Sequence, residues 1–232
     1  MKTVITKEAL QFAKTAIYLN IFGIFFSGLV FPLLTMFFCP QPAWKDAALF
    51  VQSFNPLQTA TFFCGFFLIL GSLMTFVALY FVSDGNRKIW SFTALSINLV
   101  FTVVVFLNYI IQTTYVPYLA INNPPETNSV LTVFTMANPG SLAWSLEMYG
   151  WGGIGLSFIF MSVVFENAKF DHILKKLFIV NGICSVGSAI MTSVDMRWIF
   201  SPAGFISLIV WNVLVFVIDI YLLRYFNGKH TL

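Results

Sequence analysis

The chain has 232 residues, of which 59% are hydrophobic and only 9% charged, against roughly 25% charged in a soluble domain. This balance excludes a sizeable soluble domain and marks an integral membrane protein. The net charge of +3 gives no sign of a nucleic-acid face, and three cysteines are too few for a disulfide framework.

Six apolar segments each approach the roughly 20 residues needed to cross about 30 Å of hydrocarbon: Ala16 to Phe38, Thr59 to Val82, Ile89 to Tyr115, Gly140 to Phe165, Leu177 to Trp198 and Ala203 to Leu223. With the N-terminus inside, ten basic residues fall on the cytoplasmic side: Lys2, Lys7, Lys14, Arg87, Lys88, Lys169, Lys175, Lys176, Arg224 and Lys229. Only Lys45 and Arg197 fall outside. Since Lys and Arg collect on the cytoplasmic side, this split predicts six spans with both termini cytoplasmic. The fold class is therefore all-α and polytopic. It divides into a cytoplasmic amphipathic lead-in (1–15), a six-helix transmembrane domain (16–224) and a short cytoplasmic tail (225–232). The first apolar run is too long for the core of a signal peptide.

Span one carries Pro32, expected to kink its outer half, and a Gly23-x-x-x-Ser27 edge that lets another helix approach. In the first outer loop, Trp44 to Phe54 has the apolar recurrence of a short interfacial helix. Cys39 and Cys64 both map near the outer face and either pair or remain as free thiols; Cys184 lies mid-membrane and is expected to pack. Asn55-Pro56, Asn138-Pro139 and Ser201-Pro202 each join a capping residue to a proline, predicting where spans two, four and six begin.

Span three holds Asn98, Asn108 and Gln112. Asn98 and Asn108 stand some 80° apart on the helix wheel and need not share a partner. The long second outer loop, Val116 to Ala137, is expected to form a second short helix after Asn123-Pro-Pro-Glu126, resting on or plugging the bundle. Spans four and five, rich in Gly and Ser, are expected to pack tightly together. His172 has no second histidine or cysteine near it and is read as a surface residue.

The candidate site gathers on span four. Glu147 shares one face with Trp144, Trp151, Ile154 and Phe158 at i, i+3, i+4 spacing. A carboxylate in an apolar slab must find a partner, hold a proton or face water. The expected partner is Arg197, with Asp195, Trp198 and Asn108 nearby, making an aromatic-lined pocket in the outer leaflet. Asp219, Asn20 and Asn181 form a second possible layer near the inner face, unless Asp219 snorkels beside Arg224. No His-x-x-x-His pair, Gly-x-Ser-x-Gly elbow or paired acidic motif occurs, so no cofactor or metal is expected.

Three functions fit these residues. The protein binds or transports a small amphiphile or lipid through a pocket centred on Glu147 and Arg197; it is a membrane enzyme acting on a lipid; or it is a structural or regulatory subunit of a complex. The expected partners are membrane lipids and, through the Gly/Ser-rich faces, a second copy of the chain. The run from Met136 to Trp151, with Asp195-Met-Arg-Trp198 and Trp211-Asn212, resembles an uncharacterised family of small six-span prokaryotic integral membrane proteins. That resemblance implies an all-helical inner-membrane fold and no particular activity.

Overall fold

A computed structural model describes residues 6–124, 127–165 and 169–228, and every regular element among them is helical. Six helices are long and apolar enough to cross a membrane: Lys7–Phe38, Pro56–Val82, Arg87–Asn122, Leu142–Val164, Asp171–Val194 and Pro202–Asn227, numbered here as spans one to six. Each coincides with one of the six expected segments. The chain is a small multi-pass membrane protein.

The spans pack in chain order, each against the next, and span six closes back against span one. Both junctions of span six are lighter than the others. The centre of the ring is filled with aromatic and aliphatic side chains, among them Ile69, Phe76, Phe101, Phe158, Phe178 and Ile218. Six crossings leave Thr6 and Gly228 at one end, the terminal face, and the short helices at the other, the cap face.

Spans one and three contain 32 and 36 residues, about 48 and 54 Å at roughly 1.5 Å per residue, well beyond a hydrocarbon core of about 30 Å. Both run through a proline that sequence alone would treat as a kink or a stop. In each, the turns before the proline widen into a π-helix: Phe26–Val30 precedes Pro32, and Ile111–Tyr115 precedes Pro117. A proline ring crowds the carbonyl four residues earlier, and the wider turn makes room for it, so the helix continues. Span three consequently reaches Asn122 and consumes the first third of the expected loop. Asn123 then ends it in a left-handed conformation (φ 44°). At the other end of the chain, the lead-in from Lys7 onward is no separate element; it forms the first turns of span one.

Two short helices, Ala47–Ser53 and Thr127–Phe134, complete the cap face. With the end of span three they enclose a small core of their own around Phe50, Leu119 and Leu131. Asn123, expected to cap the second of them with Glu126 at N3, instead ends span three, and Glu126 lies outside the described residues.

Asn55 and Ser201 cap spans two and six as expected, the Asn55 side chain accepting from Leu57 N and the Ser201 hydroxyl from Gly204 N. Span four differs. Asn138 and Pro139 belong to a preceding turn, in which Asn138 Oδ1 accepts from Gly140 N, and the actual cap is Ser141, whose Oγ accepts from Trp144 N at 3.1 Å. Glu147 therefore stands only five residues beyond the first helical position, Leu142, about 7.5 Å along the axis.

Glycines set the closest helix contacts. A Cβ on Gly155 would press on Gly182 O and the Ser185 Cβ across span five, and one on Gly182 would meet Gly155 O in return. The expected tight packing of spans four and five is thus present. Gly23 abuts the Leu68 backbone of span two, and Gly71 of span two abuts Asn20 N and Ala16 O of span one.

Candidate functional site

Glu147 is 6% exposed and held by three side chains, two from span three and one from its own helix. Its Oε1 accepts from the Tyr109 hydroxyl at 2.9 Å and from Trp151 Nε1 at 2.8 Å; its Oε2 accepts from Asn108 Nδ2 at 2.9 Å. The Trp151 bond follows from i, i+4 geometry. Tyr109 reaches across because Gly65 of span two has no side chain to occupy the space beside its ring.

The expected ion pair with Arg197 is not formed. Arg197 is exposed in the turn after span five, where its backbone N–H donates to Asp195 Oδ1 at 2.9 Å. A salt bridge joins Arg87 and Asp84 on the terminal face, far from Glu147 along the bundle. The reason lies in where span five ends: its helix stops at Val194, so Asp195 and Arg197 lie in the turn beyond its cap-side end, where Arg197 is exposed. Neutral hydrogen-bond donors face the carboxylate where a cation was expected.

Of the other expected site residues, Asn108 and Trp151 bond Glu147 directly. Trp144 lies one turn nearer the cap face, edge-on to Phe200 at 5.4 Å, with its buried indole Nε1 unpartnered among the described residues. Trp198 is tied away from the carboxylate, its Nε1 donating to Thr192 Oγ1 at 2.9 Å.

Aromatic rings enclose the site. Trp151 packs against Phe101 and Trp211 at 4.9 and 4.8 Å between ring centroids, and Tyr109 against Phe62 and Phe66 at 5.3 and 6.0 Å. Trp211 is fixed in turn, its Nε1 donating to Ser185 Oγ at 3.0 Å. The cap-face side of the site is stitched shut. Gln112, on the π-turn of span three, donates to Phe134 O at 2.8 Å and accepts from Met136 N at 3.0 Å, and Asn108 Nδ2 also reaches Ala143 O at 3.2 Å. The π-turn thus ties the segment ahead of span four to the helix that contacts Glu147.

Tyr109, Gln112 and Trp211 were not singled out as site residues beforehand. A usable signal was present: Asn108 and Gln112 are i, i+4, which puts both amides on one face of span three and directs attention to the phenol beside them.

A second polar layer lies deeper. Asp219, 1% exposed, accepts from Asn20 Nδ2 through both carboxylate oxygens, at 2.9 and 3.0 Å. It does not snorkel to Arg224, which instead lies over the Tyr221 ring at 5.7 Å. Asn98 of span three donates to Ser72 Oγ of span two at 3.3 Å, and Gly71, the residue before Ser72, is the one seated against Asn20. Asp219, Asn20, Ser72 and Asn98 therefore occupy one level across spans six, one, two and three. Gly65, beside Tyr109, and Gly71, beside Asn20, are six residues apart, so the two layers are separated by about 9 Å along span two. Asn181, expected in the inner layer, is fully buried with neither amide atom partnered among the described residues.

Cys39, Cys64 and Cys184 are free thiols, and Cys184 faces the outside of the bundle where packing was expected. No group of three metal-ligating side chains occurs among the described residues. No family model, curated protein or solved structure matches the chain.

Proposed function

We propose that the protein binds, and in doing so moves, a small amphiphile bearing a positive charge, with Glu147 as the counter-charge. The observation that carries this reading is a buried carboxylate that has three hydrogen-bond donors and no cation, set among aromatic faces. Burial disfavours the ionised carboxylate, these three donors offset part of that cost, and a bound cation would supply the rest. Aromatic quadrupoles attract a cation brought close to their faces. Together they suit an organic cation with an apolar body better than a neutral or anionic lipid. Arg197, at the cap-face surface, contributes no recognition charge in this account. Access is through the lighter junctions beside span six, where Trp211 separates the site from the bundle exterior.

The distribution of Lys and Arg supports placing the terminal face in the cytoplasm, which puts Glu147 in the outer leaflet. The Gly/Ser-rich faces of spans four and five are largely occupied by each other. Association of two copies through small residues is left to Gly153 and Gly187, beside which a Cβ would meet nothing.

A structural role is the second reading, favoured by the filled core and by the satisfaction of both Glu147 oxygens from within the protein. Equilibrium binding of radiolabelled tetraphenylphosphonium to the purified protein in nanodiscs separates the two. Saturable binding that is lost in a folded Glu147→Gln variant supports the amphiphile site. No binding, or binding unchanged by the substitution, leaves the structural reading.

A further inference from the structure

The deeper carboxylate has the less settled environment of the two. Asp219 has a single hydrogen-bond partner among the described residues, and the same Asn20 nitrogen serves both of its oxygens. That nitrogen sits astride the carboxylate, while Asn20 Oδ1, also buried, accepts from nothing among the described residues. Two costs therefore coincide at one point: a charge out of water with no opposite charge beside it, and an amide oxygen out of water with no donor.

The helices packed against span six are spans one and five. Their described titratable groups are Lys7, Glu8, Lys14 and Tyr18 on span one, and Asp171, His172, Lys175, Lys176 and Cys184 on span five; span six itself adds Tyr221, Arg224 and Tyr225. None of them pairs with Asp219.

We propose that Asp219 and Asn20 form a proton-binding pair joining spans one and six. The carboxylate takes up one proton and becomes the acid. A small rotation of the amide then sets acid and amide side by side, with the carboxyl O–H donating to Asn20 Oδ1 and Asn20 Nδ2 donating to the other carboxyl oxygen. One proton neutralises the charge and gives the amide oxygen its donor. A metal cation fits less well, because the position between the two oxygens is already taken by an N–H donor at 2.9 and 3.0 Å. The inference stands on this pair alone and does not depend on what Glu147 binds.

The test is infrared difference spectroscopy of the full-length protein in lipid nanodiscs, titrated with acid and repeated in heavy water. Expected is a protonated-carboxyl C=O band that shifts on deuteration, is lost in Asp219→Asn and is retained in Glu147→Gln. In Asn20→Ala the band moves to higher frequency, because the acid has lost its acceptor; this arm decides the matter should Asp219→Asn not fold. The proposal is overturned by the absence of any Asp219-dependent band at every pH where the protein stays folded. It is equally overturned by an Asn20→Ala spectrum identical to wild type, or by a band that disappears on adding sodium at fixed pH.

Discussion

Replacing Glu147 by leucine removes the acceptor of two donors, the buried Tyr109 hydroxyl and the part-buried Trp151 Nε1. Asn108 Nδ2 keeps Ala143 O at 3.2 Å. Each orphaned donor costs about 1–3 kcal/mol, so Glu147→Leu carries a penalty of about 2–6 kcal/mol from unmet hydrogen bonds. Leucine also abolishes the cost of burying a carboxylate, which offsets part of this. The informative quantity is therefore the effect of Tyr109→Phe in two backgrounds. In the wild type it deletes a hydrogen bond to a charged group and lowers stability by about 1.5–3 kcal/mol. In the Glu147→Leu background it deletes an orphaned hydroxyl and raises stability by about 1–3 kcal/mol. Unfolding followed by circular dichroism in mixed micelles measures all four proteins. Equal destabilisation by Tyr109→Phe in both backgrounds would refute the assignment of Tyr109 as a donor to the carboxylate.

Other substitutions probe the frame around the site. Gly155→Leu drives a side chain into Gly182 O and the Ser185 Cβ, where backbone cannot yield, and should destabilise by at least the roughly 1–3 kcal/mol of an overpacked core; Gly153→Ala, on the open side of the same helix, should be neutral or stabilise by up to about 1 kcal/mol. Arg197→Gln should change stability by no more than about 0.5 kcal/mol, as expected of a surface residue without an ionic partner, and a larger loss in the same unfolding assay would restore the abandoned ion pair. Cys39 and Cys64 should both be alkylated by a maleimide in the unfolded protein without prior reduction, and mass spectrometry showing either one unmodified would indicate a bridge.

The spans were legible because twenty apolar residues in a row have one physical outcome, and the Asn-Pro and Ser-Pro junctions fixed two of the three cap-side starts. Asn138-Pro139 misled because Ser141, two residues further on, offers an equally good cap, and the side chain of Asn138 is spent on Gly140 N and Thr132 O. Pro32 was expected to kink span one, and span three was expected to end at Tyr115, short of Pro117. Hydropathy and proline rules do not register that a π-turn can absorb Pro32 and Pro117 and carry the helix on. Glu147 stood out because a carboxylate in an apolar helix is costly wherever it lies, but its partner could not be read. Arg197, the cation expected at the outer end of the neighbouring span, is an attractive candidate on charge alone, and only the tertiary arrangement brings the face carrying Asn108 and Tyr109 against span four. Of the two readings of Asp219, its spacing from Arg224 favoured the interface, whereas Gly71 lets spans one and two close up at the level where Asn20 receives it, in the layer that was the alternative.

The central claim, that a buried negative charge among aromatic rings selects an organic cation, is tested most directly by a pair of probes matched in shape and opposite in sign. Competition between tetraphenylphosphonium and tetraphenylborate for the protein in uncharged nanodiscs isolates charge from apolar bulk. The account predicts saturable tetraphenylphosphonium binding that tetraphenylborate does not displace and that Glu147→Gln removes. Equal binding of the two ions, or preference for the borate, would contradict it.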